Sequence, residues 1–518
     1  MKRNIFNKVK ISAAGAFSCL LLLTSSLLTS CEDWLDVQGE NTQKEIDMFD
    51  EYKGFRDALT GCYLSFSSQN LYGMKLTMTD IENLACLWYV DNSITDEQAF
   101  GALSRHKYDT DAARGSIKSI YKELFSTIVA VNVLLKNIDE NGDIVGKENI
   151  RNINVIKGEA LAMRAYCQFD FLRLFGQLPK GGTKTVKLPY SYTTSIDEFP
   201  TFYDFNAYVE CLKKDLAQAE ELLKANDPIM TSTFSALNSP SKSVIDTYLY
   251  YRQARLNYWA VRALHARMSL YVGDTSDANS IAKDIINAKT ESGQPVISLS
   301  GANDLVKGYY GLPNECLFFL SKYDLMSYAT NALIGGTQGS TPLARAGAYY
   351  ISTQQLNDLY ASISGGLGSH NRYNYLWNMN NYSPSNVKFP AIKKYWYDEE
   401  KASDYDLVTK HQIVPMLRLS EIYLIAMETS NTLDEFQRLY DEYMLSCSYT
   451  LYKPFETLKE AKDELINEYR RELFAEGQMF FYYKRTGATK MMWSKTAVNE
   501  DDYILPMPSS EYDPSLKN

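Results

Sequence analysis

Residues 263–274 read Ala263-Leu264-His265-Ala266-Arg267-Met268-Ser269-Leu270-Tyr271-Val272-Gly273-Asp274, and an amphipathic run over Asp277–Ala288 follows. Apolar residues recur by threes and fours on both sides of a Gly-Asp break, so Ala263–Ile286 is a helical hairpin with a tight turn. Its alanines let the two helices approach closely. Outward from this hairpin the helical period continues. The first arm starts near residue 252, and further helices are predicted over 204–225 and 151–175, the latter through Gly158-Glu159-Ala160-Leu161-Ala162-Met163-Arg164-Ala165-Tyr166 and stopped by Gly176 and Pro179. Ile117, Ile120, Tyr121, Leu124, Ile128, Val131, Leu135 and Ile138 form a clean stripe. Ser116 is its expected cap and Asn141-Gly142 its end. Helices are also predicted over 44–66, 416–430 and 461–476, with Gly477 closing the last. Between them, 67–115 and 290–415 are irregular and rich in Gly, Ser, Asn and Tyr, with short strand-like runs such as Cys316–Leu320. The fold class is mostly α with a large loop-rich insertion.

The 518 residues are 45% hydrophobic and 22% charged, a globular composition. Net charge is −10, which argues against nucleic acid as a partner. The N-terminus carries Lys2, Arg3, Lys8 and Lys10, then an apolar stretch through Leu20-Leu21-Leu22-Leu23 to Leu28 that Ser and Thr interrupt too often for a comfortable membrane span. Residues 1–30 therefore read as a secretory signal. Leu28-Thr29-Ser30-Cys31 resembles a bacterial lipoprotein lipobox, which makes Cys31 the lipidated first residue of the mature chain. Glu32 and Asp33 behind it resemble the surface-export signal of Bacteroidetes lipoproteins. Residues 31–43 are then a polar tether. Loss of 1–30 removes four bases and no acid, taking the net charge to −14. Cys62, Cys86, Cys167, Cys211, Cys316 and Cys447 show no paired spacing, and buried free thiols are expected.

The 263–286 hairpin resembles one tetratricopeptide unit. Tyr121-(x)10-Asn132, Gly158-Glu159-Ala160-(x)3-Arg164-Ala165, Phe175-Gly176-Gln177-Leu178-Pro179, Arg267-(x)3-Tyr271-(x)-Gly273-Asp274, Arg418-Leu419-Ser420-Glu421-Ile422-Tyr423-Leu424 and Asn467-Glu468-Tyr469-Arg470-Arg471-Glu472-Leu473-(x)2-Glu476-Gly477 occur in order along the mature chain. Together with the lipoprotein N-terminus they resemble the SusD/RagB family. The resemblance implies one domain over 44–518: about eight tetratricopeptide-like helices (about 44–66, 116–290 and 416–480) cradling a ligand-binding part (about 67–115 and 290–415). It implies a surface lipoprotein of the outer membrane that captures oligosaccharides and delivers them to a SusC-like TonB-dependent transporter, without cofactor, metal or catalysis.

Aromatic runs in the irregular parts are the binding candidates, because an aromatic face with amides at its rim matches the C–H faces and hydroxyl edges of sugars. In Arg372-Tyr373-Asn374-Tyr375-Leu376-Trp377-Asn378, an extended chain would place Tyr373, Tyr375 and Trp377 on one face with Asn378 beside them. Trp88-Tyr89-Val90-Asp91-Asn92, with Tyr72 upstream, is the second candidate, contributing Tyr72, Trp88, Tyr89 and Asn92. On this reading Trp88→Ala or Trp377→Ala weakens binding and spares the fold. Tyr395-Trp396-Tyr397 ranks lower, since adjacent rings cannot share a face. Glu468 and Glu472, at i,i+4, could serve a glycoside hydrolase, but Arg–Glu cross-links between helices are the expected role of these carboxylates. Peptide or another nutrient in the same importing role is the other rival. The four histidines form no HExxH pattern, and His265 is expected in the core.

Overall fold

In the computed structural model, residues 48–508 are described except 196–197, 240–245, 335–336, 339–340, 343–348, 364–366, 383–387 and 397–406. The signal segment, Cys31 and the tether lie outside the described residues. Ten helices of eight residues or more are present among them: α1 (Tyr52–Phe66), α2 (Asp111–Asn141), α3 (Ile150–Phe175), α4 (Phe205–Asn226), α5 (Tyr258–Val272), α6 (Thr275–Ile286), α7 (Leu419–Thr429), α8 (Leu433–Ser446), α9 (Leu458–Glu472) and α10 (Met479–Thr486). Shorter helical turns fill the connections. The molecule is mostly helical as expected, but a count of about eight is low: α8 and α10 lie where the sequence pattern predicts no helix. The apolar stripe of α8 is built from Phe436, Leu439, Tyr440, Tyr443 and Met444 amid acidic residues, which dilutes its signal.

The hairpin α5–α6 forms as predicted. Gly273 adopts φ +89°, a left-handed turn that leaves Asp274 free to accept from the Asp277 N–H and start α6. Gly158 is needed for close helix packing: a Cβ there would stand 2.7 Å from Leu223 Cγ on α4. Two expected boundaries are corrected. Thr110, not Ser116, caps α2, its hydroxyl accepting from the Ala113 N–H at 3.2 Å, while Ser116 is buried and bonds Asp80. Gly477 does not close α9, which ends at Glu472; its φ of +73° serves a later turn where a Cβ would meet Leu76 O.

The strands come in antiparallel pairs. β1 (Leu188–Tyr190) pairs with β2 (Thr201–Tyr203), β3 (Cys316–Ser321) with β6 (Ile413–Arg418), and β4 (Trp377–Tyr382) with β5 (Lys388–Ile392). The β3–β6 ladder pairs Cys316 with Arg418 and Ser321 with Ile413, so it pins together the two ends of the loop-rich stretch at the start of α7. One continuous apolar cluster runs from Phe49 to Leu505. All six described cysteines are free, five of them buried.

Candidate functional site

The carboxylates that invite an enzymatic reading are spent on cross-linking. Arg418, at the end of β6, donates to Glu315 and Glu472 at 2.5 Å each and to Glu476 at 2.8 Å. Arg372 donates to Glu472 at 3.2 Å, and Lys394 bonds Glu476. Three cations thus face three carboxylates with essentially no solvent contact. Arg418 and Arg372 hold the Glu472 carboxyl well below the usual range against the opposing effect of burial. Glu468 is paired with Arg471, Glu421 with Arg267, and Arg164 grips Asp215 with two bonds of 2.7 Å. A second buried set joins Arg252 to Asp227 and Glu159. Apart from Glu468–Arg471, which lies within α9, these pairs tie separate segments of the chain together, in line with the scaffold reading of the Arg–Glu motifs. His265 is partly rather than fully buried, its ring between Glu220 (2.7 Å) and Asp277 (3.3 Å), where the carboxylates of α4 and α6 converge.

The aromatic candidates divide into backing and face. Tyr72 is 1% exposed and packs against Phe66 and Tyr166. Trp88 is 2% exposed; its ring meets Phe474 and Tyr349 edge-on and its indole N–H donates to Met78 O at 3.2 Å. Trp377 is 4% exposed and packs on Phe474, its indole N–H reaching the Tyr360 hydroxyl. All three rings are almost wholly enclosed by protein, so all three are corrected to core positions, with Trp88 reaching only the floor of the cleft described below. The extended reading of 372–378 is corrected too. Asn371–Leu376 is a helical turn capped by His370, and the strand begins only at Trp377. Two residues on a helix are about 200° apart, so Tyr373 and Tyr375 do not share a face. Tyr373 packs half-buried against Tyr360, and Asn378 stands half-buried in β4. Tyr395 turns inward, its hydroxyl donating to Ala475 O, and Trp396 stacks on Tyr310.

Tyr89 and Asn92 remain at the surface, half-buried and exposed respectively. The Tyr89 N–H donates to Tyr350 O at 2.8 Å, which brings their rings to 5.7 Å, and the Tyr350 ring meets Phe389 of β5 at 4.2 Å. Three half-buried rings from distant parts of the chain thus form one aromatic face. Burial first, then Asp91 and Tyr89, raises the Tyr350 pKa, so its hydroxyl stays a donor at neutral pH. Beside this face lies a cleft of about 740 Å³ lined by Tyr89, Gln355, Met492, Trp493, Asn499 and Lys495, with Trp88 in its floor. Its walls are held by partly buried polar bonds. Arg105 donates to Asp96 and to Ile94 O, and the His106 Nε2–H donates to Leu84 O at 2.8 Å, burial keeping that imidazole neutral. Glu82, under the floor, accepts from the Gly477 N–H at 2.7 Å, and burial pushes its carboxyl up to about 8.

Tyr350, Phe389 and Trp493 are additions to the candidates read from sequence. Tyr349-Tyr350 held a signal: in an extended pair one ring goes in and the other out. Tyr349 packs on Trp88 and Phe100, which leaves Tyr350 outward.

Residues 33–239 match a family model described as starch-binding and associating with the outer membrane, and residues 344–513 match the SusD family model. The chain belongs to the SusD/RagB family. A SusD-like protein P25 from Formosa agariphila is 20% identical over 434 residues, spanning 78% of this chain and 76% of that protein. A SusD superfamily protein from Bacteroides thetaiotaomicron superposes with TM-score 0.66 at 19% identity, covering 89% of this chain and 97% of the other. A SusD-like carbohydrate binding protein from Bacteroides vulgatus gives 0.62 at 15% identity (88% and 95%), and a laminarin binding SusD-like protein 0.61 at 16% (89% and 97%). The SusD/RagB family is carbohydrate-binding and associates with the outer membrane. Among the described residues no helix is long and apolar enough to cross a membrane.

Proposed function

We propose that this SusD-like protein is a lipoprotein anchored through Cys31 to the outer membrane at the cell surface, where it captures oligosaccharide and passes it to a SusC-like TonB-dependent transporter. It does no chemistry on its ligand. The observation that carries this reading is the Tyr89–Tyr350–Phe389 aromatic face beside a 740 Å³ cleft whose lining mixes amides and hydroxyls with Lys107, Lys490, Lys495 and Asp502. Sugar rings would stack their C–H faces on Tyr89 and Tyr350, while Gln355 and Asn499 in the cleft, and the exposed Asn92 three residues from Tyr89, meet hydroxyls. The lipobox-like N-terminus, the family membership and the carbohydrate- and laminarin-binding relatives support it. Tyr373, Tyr375 and Asn378 are a lesser set on this reading, since they do not border the same cleft.

A glycan array followed by calorimetry tests this. Binding of an oligosaccharide that falls at least tenfold in Tyr89→Ala and Tyr350→Ala, with unchanged melting, is the expected result. A blank array with a positive peptide pull-down would transfer the role to peptide import. Reducing-sugar release by the purified protein would make it a hydrolase instead.

A further inference from the structure

A second cleft, of about 770 Å³, lies where residues 233–239, 251–253, 295–298, Asn314 and 409–410 meet. None of its lining residues borders the cleft at Tyr89. Its lining is hydroxyls and amides: Thr233, Ser235, Asn238, Ser298 and Asn314, with Phe234 and Tyr251 as its aromatic members. Among the described residues its lining holds no carboxylate and one cation, Lys410, which is bonded to Asn314. A metal ion, an anion or a basic peptide finds no complement there. A neutral polyhydroxylated molecule with an apolar face does.

Two features are hard to explain by folding alone. Tyr251 sits at φ +56°, ψ +45°, in the left-handed region where a Cβ is unfavourable and glycine or asparagine is the ordinary choice. Its ring is 38% exposed, so packing does not compensate. The strain is enforced from both sides. The Tyr251 N–H donates to Leu237 O at 2.9 Å, Arg252 is locked between Asp227 and Glu159, and Gln253 donates to Pro313 O and Cys316 O. A bulky side chain held in strain by an over-determined backbone is a mark of function. Asn238 is the second feature. Its NH2 donates to Gln253 at 2.6 Å, while its Oδ1 is shielded from water without a partner among the described residues.

We propose that this cleft is a second carbohydrate-binding site, in which the Tyr251 ring stacks on a neutral sugar and the exposed Thr233 and Ser235 hydroxyls bond its hydroxyls. The inference rests on the carbohydrate-capture reading above. It gives the protein two sites with no lining residue in common.

The test is calorimetric titration of the full chain with malto-, laminari-, xylo-, manno- and galacto-oligosaccharides of defined length. Expected for the binding member is an isotherm with two classes of site. Tyr251→Gly removes only the second class and melts at or above the wild-type temperature, since glycine relieves the backbone. Tyr251→Asn, which also tolerates this conformation, behaves alike and guards against an idiosyncrasy of glycine. Tyr89→Ala removes only the first class. A single class of site in the wild type, or two classes that survive both Tyr251 variants, overturns the second site and leaves the capture reading standing. A panel that gives no heat with any sugar overturns both.

Discussion

The ion-pair lattice around Arg418 and the aromatic face at Tyr89 invert the usual distribution of side chains. In the lattice, three cations and three carboxylates are withdrawn from water. At the face, Tyr89, Tyr350 and Phe389 are left half in it. Burying charge stabilises little net but makes the arrangement intolerant of error, because any unpaired member is expensive. Exposing rings forgoes burial and keeps a surface ready for a ligand with apolar faces. The lattice fixes where strand β6, helix α9 and residues 372 and 394 stand relative to one another. The face uses that fixed frame to align rings that are far apart in sequence.

The comparison can be broken first at the lattice. Arg418→Met leaves Glu315, Glu472 and Glu476 without their shared partner and should destabilise the fold by about 5 kcal/mol, read by urea unfolding. Next is Trp88→Ala, which removes the floor beneath the face. Loss of a buried indole should lower stability by about 4 kcal/mol, in contrast to the spared fold expected of a ligand-stacking tryptophan.

The third effect is pH. His370 is buried beside Arg471, Arg372 and Glu472, with Tyr360 and Tyr449 against its ring. Burial first, then the two guanidiniums, lowers its pKa from 6.5 to about 3. Between these values the unfolded chain binds the extra proton, so the stability from a neutral His370 is whole above pH 6.5 and is lost as pH falls towards 3. The slope is about 1.4 kcal/mol per pH unit, or about 3 kcal/mol by pH 4.5. His370→Asn should flatten it, as urea unfolding at a series of pH values would read. The smallest expected effect on the fold is that of Tyr89→Ala: stability within about 0.5 kcal/mol, but oligosaccharide binding weaker by about 1.4 kcal/mol or more in calorimetry. Equal losses of stability from Tyr89→Ala and Trp88→Ala would erase the distinction between floor and face.

Local chemistry was legible and distant packing was not. The Gly273-Asp274 turn is specified by two residues, and the stripe of α2 by spacing within one helix, so both follow from the chain alone. The inward place of Trp88 depends on Phe474 and Tyr349, hundreds of residues away, and no local pattern encodes it. The 372–378 run failed differently. Alternating aromatics fit a strand, but the capping of Arg372 N–H by the His370 ring starts a helical turn that overrides the period-two pattern. Within the Tyr89 site, the surface positions of Tyr89 and Asn92 survive from the sequence, whereas Tyr350 and Phe389 join them only through tertiary pairing.

The six unpaired sulfhydryls give the molecule a set of internal clocks. Burial holds Cys62, Cys86 and Cys447 as protonated thiols, their pKa values pushed up to about 12, so alkylating reagents have little to attack while the chain is closed. Each becomes reactive only when its own neighbourhood opens. Cys86 sits in the wall of the cleft and Cys447 behind the α8–α9 connection. Their alkylation rates, separated by mass spectrometry, would time the breathing of the ligand-facing side against that of the frame.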